Sequence, residues 1–189
     1  LMFIREQIHT STIRKKTYGN KVFSKRFRTS SERKILESNG DSTVIFELQG
    51  SLFFGTTDQL YTAIEPEIHR AKYVVLDFFR VQSLDVTAGH MIERIQNILN
   101  ENDATLVVAR LPERLPSGRD LKSYIDHIGV FSHKTTRVFD DISDALEWVE
   151  DETLLAAGIT IEHPFALPLR QFEIFAGLNE HELSALERC

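Results

Sequence analysis

Cysteine is almost absent from this sequence: a single one, Cys189, occurs among 189 residues, and it is the last. No intramolecular disulfide can therefore form, which is typical of a protein kept in a reducing cytoplasm. Long hydrophobic runs are absent as well, since no stretch reaches the roughly 18 apolar residues that a membrane-spanning helix needs. The apolar start at Leu1 is far too short for a signal peptide. Because the chain begins at Leu1 and stops in an unfinished pattern at Cys189, we interpret it as a piece of a longer protein.

The motifs of metal, nucleotide and nucleophile chemistry are missing too. The seven histidines are scattered, and no two of them have the His-x-x-x-His spacing of helical zinc ligands. Neither Gly-x-Gly-x-x-Gly nor Gly-x-x-x-x-Gly-Lys occurs, which argues against a small nucleotide-using enzyme. Gly-x-Ser-x-Gly, the elbow of serine hydrolases, does not occur either. We therefore predict no catalytic residue, no metal site and no cofactor.

Charge is distributed unevenly along the chain. Residues 1–40 hold ten Lys or Arg against three Asp or Glu, whereas residues 41–189 hold twelve against twenty-five. A basic segment ahead of an acidic domain indicates an anionic surface near the start of the chain, and each charge near an anionic lipid surface contributes about 1 kcal/mol. Nucleic acid is disfavoured as a partner because the rest of the chain is acidic and the segment has few aromatics; a solvated linker is the alternative. The predicted lipid-facing residues are Arg14, Lys15, Lys16, Lys21, Lys25, Arg26 and Arg28.

Hydrophobic periodicity predicts an α/β domain in which strands alternate with helices. The predicted strands are residues 43–49, 52–54, 73–79, 104–110 and 136–139. The predicted helices are residues 32–39, a segment that begins after Thr56 or Thr57, residues 86–101, residues 119–128, and a segment that begins after Asp140 or Asp141. The spacing of these elements allows parallel crossovers. We expect the domain to begin near Asp41 and to fold without the basic segment, because that segment has no periodic apolar face.

The stretch 73–92 is the one around which the domain is organised. It consists of a β-branched and aromatic run, a polar turn at residues 80–83, and the start of a helix. Asp77 lies in the predicted strand, where we expect a structural carboxylate. Asp85 precedes the helix, where a carboxylate accepts helix N–H groups as a cap. Thr87 lies in the first helical turn, where a phosphate on its hydroxyl would be tolerated.

Two pairs of adjacent phenylalanines stand out near these strands. They are Phe53 with Phe54, and Phe78 with Phe79. Adjacent residues of a strand point to opposite faces of the sheet, so one ring of each pair can be exposed. An exposed ring would mark a contact surface; burial of both rings beneath helices is the alternative.

The run LDFFRVQSLDVTAG, residues 76–89, resembles the strand–turn–helix signature of STAS domains, the module of bacterial anti-sigma-factor antagonists and of SulP-type anion permeases. The resemblance matches Asp85 to the Asp of the Asp-Ser-Ser/Thr-Gly pattern and Thr87 to its phospho-acceptor. Val86 and Ala88 depart from that pattern, as is usual in the permease branch. FELQGSLFFGTTDQL, residues 46–60, is similar to bacterial permease tails.

The resemblance implies a STAS fold, with a four- to five-stranded, mostly parallel sheet and helices packed largely on one side. It also implies a non-catalytic regulatory module on the cytoplasmic side of the bacterial inner membrane, which supports assembly or gating of a transporter of sulfate or a similar anion. Its expected partners are the membrane domain of the same chain and a second copy of the module. The alternative is a phosphorylation-switched signalling protein resembling the anti-sigma-factor antagonists.

Four regions follow from these observations. Residues 1–40 are a membrane-proximal basic connector, residues 41–158 the STAS domain, and residues 159–170 a linker with two prolines. Residues 171–189, QFEIFAGLNEHELSALERC, resemble the start of a cyclic-nucleotide-binding domain. The phosphate-binding cassette of that family is absent, so we expect no cyclic nucleotide to bind this chain.

Overall fold

A computed structural model describes residues 11–112 and 136–160, and the side chain of Phe54 is not among the described atoms. The described residues form five strands and four α-helices. The strands are β1 (Ile13–Tyr18), β2 (Thr43–Leu52), β3 (Tyr73–Leu84), β4 (Thr105–Ala109) and β5 (Thr136–Phe139). The helices are α1 (Ser30–Asn39), α2 (Phe54–Ile68), α3 (Val86–Glu101) and α4 (Ile142–Ala156), and a 3-10 turn, Gly40–Ser42, leads from α1 into β2.

The five strands form one mixed sheet in the order β1-β2-β3-β4-β5. Strands β2 to β5 run parallel, whereas β1 is antiparallel to β2 at one edge. The prediction of a mostly parallel α/β sheet of the STAS type is confirmed. Since β3 is the central strand, both of its faces are covered over residues 73–76, and its run of β-branched and aromatic residues follows from that burial.

The sheet has a hydrophobic core on each face. Helices α2 and α3 cover one face, where Leu60, Ile64 and Ile95 are fully buried. Helix α4 covers the other face, where Ala145 and Val149 pack on β2, β3 and β4. The described helices are thus shared between the two faces, whereas the resemblance implied that most of them lie on one.

The basic segment is part of the domain, so the expectation of a domain that begins near Asp41 is wrong. Its residues Ile13–Tyr18 form β1, which pairs with β2 between Ile13↔Leu48 and Tyr18↔Val44. Residues 19–29, which we call the strap, then run along α4, and the capping box of Thr29 and Glu32 starts α1. Sequence reasoning missed β1 because three of its six residues are charged or exposed and its burial pattern has no regular apolar alternation.

The turn expected at residues 80–83 is also absent. Strands β2 and β3 continue to the pair Leu52↔Leu84, well beyond the last residue that β3 shares with β4, Asp77. The backbone adapts with two register shifts in this ladder and with Gly50 at a φ of +73°, in the left-handed region that favours glycine. The short strand expected at residues 52–54 is instead the end of β2 and the start of α2.

Three predictions fall outside the described residues. They are the helix at residues 119–128, the linker at residues 159–170 beyond its first two residues, and the cyclic-nucleotide-binding resemblance at residues 171–189.

Candidate functional site

The junction of β3 and α3 holds the two residues that the signature singled out. Asp85 is the N-cap of α3: its Oδ1 accepts a hydrogen bond from the Ala88 backbone N–H at 2.8 Å. Its own N–H donates to the Leu52 carbonyl at 3.0 Å, which ties the junction to the end of β2. Thr87 is exposed in the first turn of α3. A partner could therefore reach its hydroxyl without unfolding the helix.

Asp77 lies on β3 beneath the carboxyl end of the sheet and is buried. Both of its oxygens accept from the Arg110 guanidinium, with Arg110 Nε 2.9 Å from Oδ1, and the Phe79 N–H donates to Oδ1 at 3.1 Å. The hydrogen bond from Arg110 to Asp77 raises the pKa of the guanidinium above its ordinary value. Arg110 itself adopts a φ of 55°. The carboxylate is thus bound within the fold and presents no free oxygen for acid or base chemistry.

The paired phenylalanines differ in environment. Phe78 is fully buried in the core beneath α2 and α3, whereas Phe79 is 62% exposed and lies under the Arg110 guanidinium at 4.4 Å from the ring centre. Phe53, the N-cap of α2, is half-buried. The burial of the Phe54 side chain lies outside what is described. Phe79 therefore fits the expected pattern of one ring inward and one outward.

The predicted lipid-facing residues fall into two groups. Arg26 and Arg28 point inward to α4, where Arg28 Nε lies 2.9 Å from Glu150 Oε2 and Arg28 Nη1 lies 2.6 Å from Asp151 Oδ1. The Arg28 side chain is only 2% exposed, so its assignment to a lipid surface is wrong. The other five are exposed; Lys16 pairs with the buried Glu67 carboxylate of α2, and Arg14 pairs with the half-buried Glu47 of β2. The exposed residues are Arg14, Lys15, Lys16, Lys21 and Lys25.

A cleft of about 330 Å³ opens at the carboxyl ends of β2 and β3, beside the start of α2. Such an edge of parallel strands is where ligands bind in many open α/β sheets. The residues that line it include Thr12, Gln49, Gly50, Ser51, Arg80 and Gln82. Sequence reasoning missed this cleft because residues 80–83 were interpreted as a turn. The extension of β3 past Phe79 is what brings Arg80 and Gln82 beside Gly50.

Two further features bear on function. Within residues 11–112 and 136–160, no group of three or more His, Cys, Asp or Glu side chains could hold a metal ion. In the same part of the chain, no helix is both long enough and apolar enough to cross a membrane.

Comparison with known proteins places the fold in context. The STAS domain family matches residues 34–145, more than half of the chain. The vacuolar basic amino acid transporter VSB1 of Saccharomyces cerevisiae is 26% identical over 163 residues, and glutaminase 2 of Bradyrhizobium diazoefficiens is 24% identical over 169 residues. These alignments cover 80% and 89% of this chain but only 15% and 26% of the two relatives, so the chain spans a small part of their length.

A solved structure is similar to this chain at a low level. The sulfate transporter family protein from Wolinella succinogenes is 24% identical, with a TM-score of 0.47, over 60% of this chain and 88% of that one.

Proposed function

This chain belongs to the STAS domain family, and on that premise we propose that it is a regulatory module of a larger transporter of the SulP type. In this proposal it performs no chemistry itself. It supports assembly or gating of a membrane domain that carries sulfate or a similar anion, from the cytoplasmic side of the bacterial inner membrane. The membrane domain of the same protein is its first partner, and a second copy of the module is another.

The observation that carries the proposal is which two proteins this chain is similar to. The same segment is similar to part of a transporter and to part of a glutaminase, two proteins whose names state unrelated activities. A segment common to both is best explained as a regulatory or interaction domain, because it covers only 15% and 26% of two proteins with unrelated activities. The transporter among them, together with the signature at residues 76–89, favours transport.

The surface that we propose for regulation is the start of α3. Thr87 is exposed there, and Asp85 already neutralises part of the helix N-terminus by accepting the Ala88 N–H. A negative charge added at Thr87 would meet the favourable helix dipole and the unfavourable Asp85 carboxylate together. We expect such a charge to leave the fold intact and to alter docking of α3.

The test is transport of radiolabelled sulfate by the full-length protein that carries this domain. Thr87→Glu should change the transport rate while circular dichroism of the isolated domain stays unchanged. Thr62→Glu, on an exposed position of α2, is the matched control and should leave transport unchanged. Equal transport by both variants and the unmodified protein would contradict regulation through α3.

One observation favours a second candidate function, a phosphorylation-switched signalling protein. It is the exposure of Thr87 in the position of the phospho-acceptor. Val86 and Ala88 replace the small residues of the switch motif, so we expect no dedicated kinase for Thr87. Phosphate on Thr87 in protein isolated from the native host, detected by mass spectrometry, would reverse that preference.

We further propose that residues 171–189 correspond to the opening segment of a cyclic-nucleotide-binding domain. The phosphate-binding cassette of that family does not occur in this sequence. Titration calorimetry of the 189-residue chain with cyclic AMP and cyclic GMP should show no saturable heat; a micromolar isotherm would contradict this interpretation.

A further inference from the structure

Among the described residues, the cleft at the carboxyl ends of β2 and β3 is lined by one charged side chain, Arg80, and that side chain has no partner there. Every other arginine among the described residues has a carboxylate within salt-bridge distance or lies over an aromatic ring. Arg80 has neither, although its guanidinium carries five hydrogen-bond donors. Gln82, two residues further along the same strand, is likewise exposed and makes no hydrogen bond within the described part of the chain.

None of the described residues that line the cleft carries a carboxylate. This is notable in a chain with 28 Asp or Glu against 22 Lys or Arg, where an unpaired arginine would ordinarily find an acidic neighbour. The other side chains that line the cleft offer hydroxyl, amide or aromatic groups. With Arg80 as the only charge among the described lining residues, the described part of the cleft is positive in a chain whose net charge is -6.

Neutral polar groups line the same cleft as Arg80. Thr12 is 2% exposed, and its hydroxyl reaches only the Thr56 carbonyl, at a long 3.5 Å. Ser51 borders the cleft, and its carbonyl is already occupied by the Thr56 hydroxyl at 2.9 Å. A buried hydroxyl with so weak a partner is a donor that a ligand oxygen could satisfy better.

The backbone leaves room for a ligand to approach. Gly50 lies in the cleft with a φ of +73°, and no atom lies within 4 Å of the position a Cβ would take there. The cleft also adjoins the start of the 15-residue helix α2, whose N-terminal end carries a partial positive charge. These two features add to the charge of Arg80 and do not by themselves define a site.

We propose that this cleft binds a small oxyanion of the phosphate or sulfate type, with Arg80 as its charged ligand and with Thr12, Ser51 and Gln82 as neutral donors. Arginine suits such groups because its planar fork matches two of their oxygens. The cleft volume, about 330 Å³, is at the small end of ligand sites, so it accommodates the ion or a small molecule that carries it. This inference rests on local chemistry and is independent of the transporter role.

The test is titration calorimetry of the 189-residue chain with sodium phosphate, sodium sulfate and glycerol 3-phosphate at constant ionic strength. Saturable heat is expected with at least one of them. Arg80→Gln should weaken that binding about tenfold or more, since a charged hydrogen bond is lost. Gln82→Glu should weaken it at least as much by placing a carboxylate in the cleft. Arg94→Gln is the matched control: Arg94 is exposed on α3, lies over Tyr61 and should leave binding unchanged.

The outcomes separate the sources of the anion. Tighter binding of inorganic phosphate or sulfate would identify the free ion as the ligand, and tighter binding of glycerol 3-phosphate would identify a phosphate monoester; either supports the site. No saturable heat with any probe would overturn it. Binding that Arg80→Gln and Arg94→Gln reduce equally would also overturn it, because the heat would then reflect general surface charge.

Discussion

The two faces of the sheet are closed in different ways. On the face of α2 and α3 the contacts are apolar, and Leu60, Ile92 and Ile95 are at most 1% exposed. On the face of α4 a smaller apolar core is continued at its rim by charged groups, since the strap places Arg26 and Arg28 against three acidic residues of the helix. Packing on the first face depends on the complementary shapes of apolar side chains. Packing on the second depends on shape and also on paired charges.

This difference determines how each face responds to substitution. Removing a large apolar group leaves a cavity whose cost grows with its volume. Removing one member of a buried ion pair leaves a charge that water cannot reach, although replacing both members by apolar groups is often neutral. Substitution of one charged residue on the α4 face should therefore destabilise the domain, and substitution of both partners should restore part of that stability. On the α2 and α3 face, a second substitution should not restore the stability that the first removes.

The largest effect is expected for Phe78→Ala. Phe78 is fully buried beneath α2 and α3, and truncation of such a ring costs about 3–5 kcal/mol of unfolding free energy. Phe79→Ala, at the adjacent and largely exposed position, should cost about 1 kcal/mol or less through its contact with Arg110. Urea unfolding monitored by circular dichroism measures both. Equal losses of unfolding free energy for the two variants would show that the Phe79 side chain is covered.

Arg28→Met tests the charged face. We expect a loss of about 3 kcal/mol, because the guanidinium bonds both Glu150 and Asp151 and its removal leaves buried charge. Lys25→Met, an exposed position of the same strap, is the control and should change stability by roughly 0.5 kcal/mol or less.

The double substitution Arg28→Met with Glu150→Leu sharpens this test. It should recover part of the loss, as determined by a double-mutant cycle in urea. If Arg28→Met and Lys25→Met were equally mild, the strap would contribute nothing to the domain.

The third prediction concerns pH and the carboxylate of Glu67, which joins α2 to β1. Burial acts to raise the pKa of Glu67, but hydrogen bonds from Lys16 and Arg70 outweigh it, so that pKa lies below its ordinary 4.5. The stabilisation is therefore complete above pH 4.5 and is lost as the pH falls through the lower, folded-state pKa. Glu67→Gln should cost about 2 kcal/mol at neutral pH.

The measurement is unfolding free energy as a function of pH for the unmodified domain and Glu67→Gln. The difference between them should shrink below pH 4.5. Glu65→Gln, exposed on the same helix, should show no such dependence. A difference that stays constant from neutral pH into acid would mean that the ion pair does not form in solution.

The smallest effect is expected at the junction of β3 and α3. Asp85→Ala removes the N-cap of α3 and should cost about 1 kcal/mol, the usual value for such a cap. Asp58→Ala, at an exposed position on α2, is the control and should be nearly neutral. A loss as large as that of Phe78→Ala, measured by the same urea unfolding, would indicate that Asp85 holds more of the β3–α3 junction than its cap.

The sequence predicted the apolar face well and the charged face poorly. Helix α3 was predicted at its observed bounds, because Ile92, Ile95 and Leu99 repeat at helical spacing. The role of Arg28 could not be predicted in this way, since its partners lie more than 120 residues away and a charged residue carries no periodic signal of burial. The residue types mislead here, since in the structure the apolar Phe27 is exposed and the charged Arg28 is buried.

The candidate site was predicted in part for the same reason. Asp85 and Thr87 follow from local pattern, as a cap residue ahead of an apolar helix and a hydroxyl in its first turn. The cleft at the carboxyl ends of β2 and β3 depends on two strands that extend past their neighbours, which is set by pairing between Leu52 and Leu84 and not by either run alone.

The strap also sets the order in which the domain can be completed during synthesis. Arg28 and Glu150 are separated by 122 positions along the chain, so the strap emerges from the ribosome long before its partner helix. At ordinary elongation rates of about 5–20 residues per second, the interval is on the order of ten seconds. During that time the buried arginines of the strap have no acidic partners and β5 has not been made. Pairing of the strap with α4 must therefore be a late event, and the nascent chain carries an exposed basic segment until it occurs.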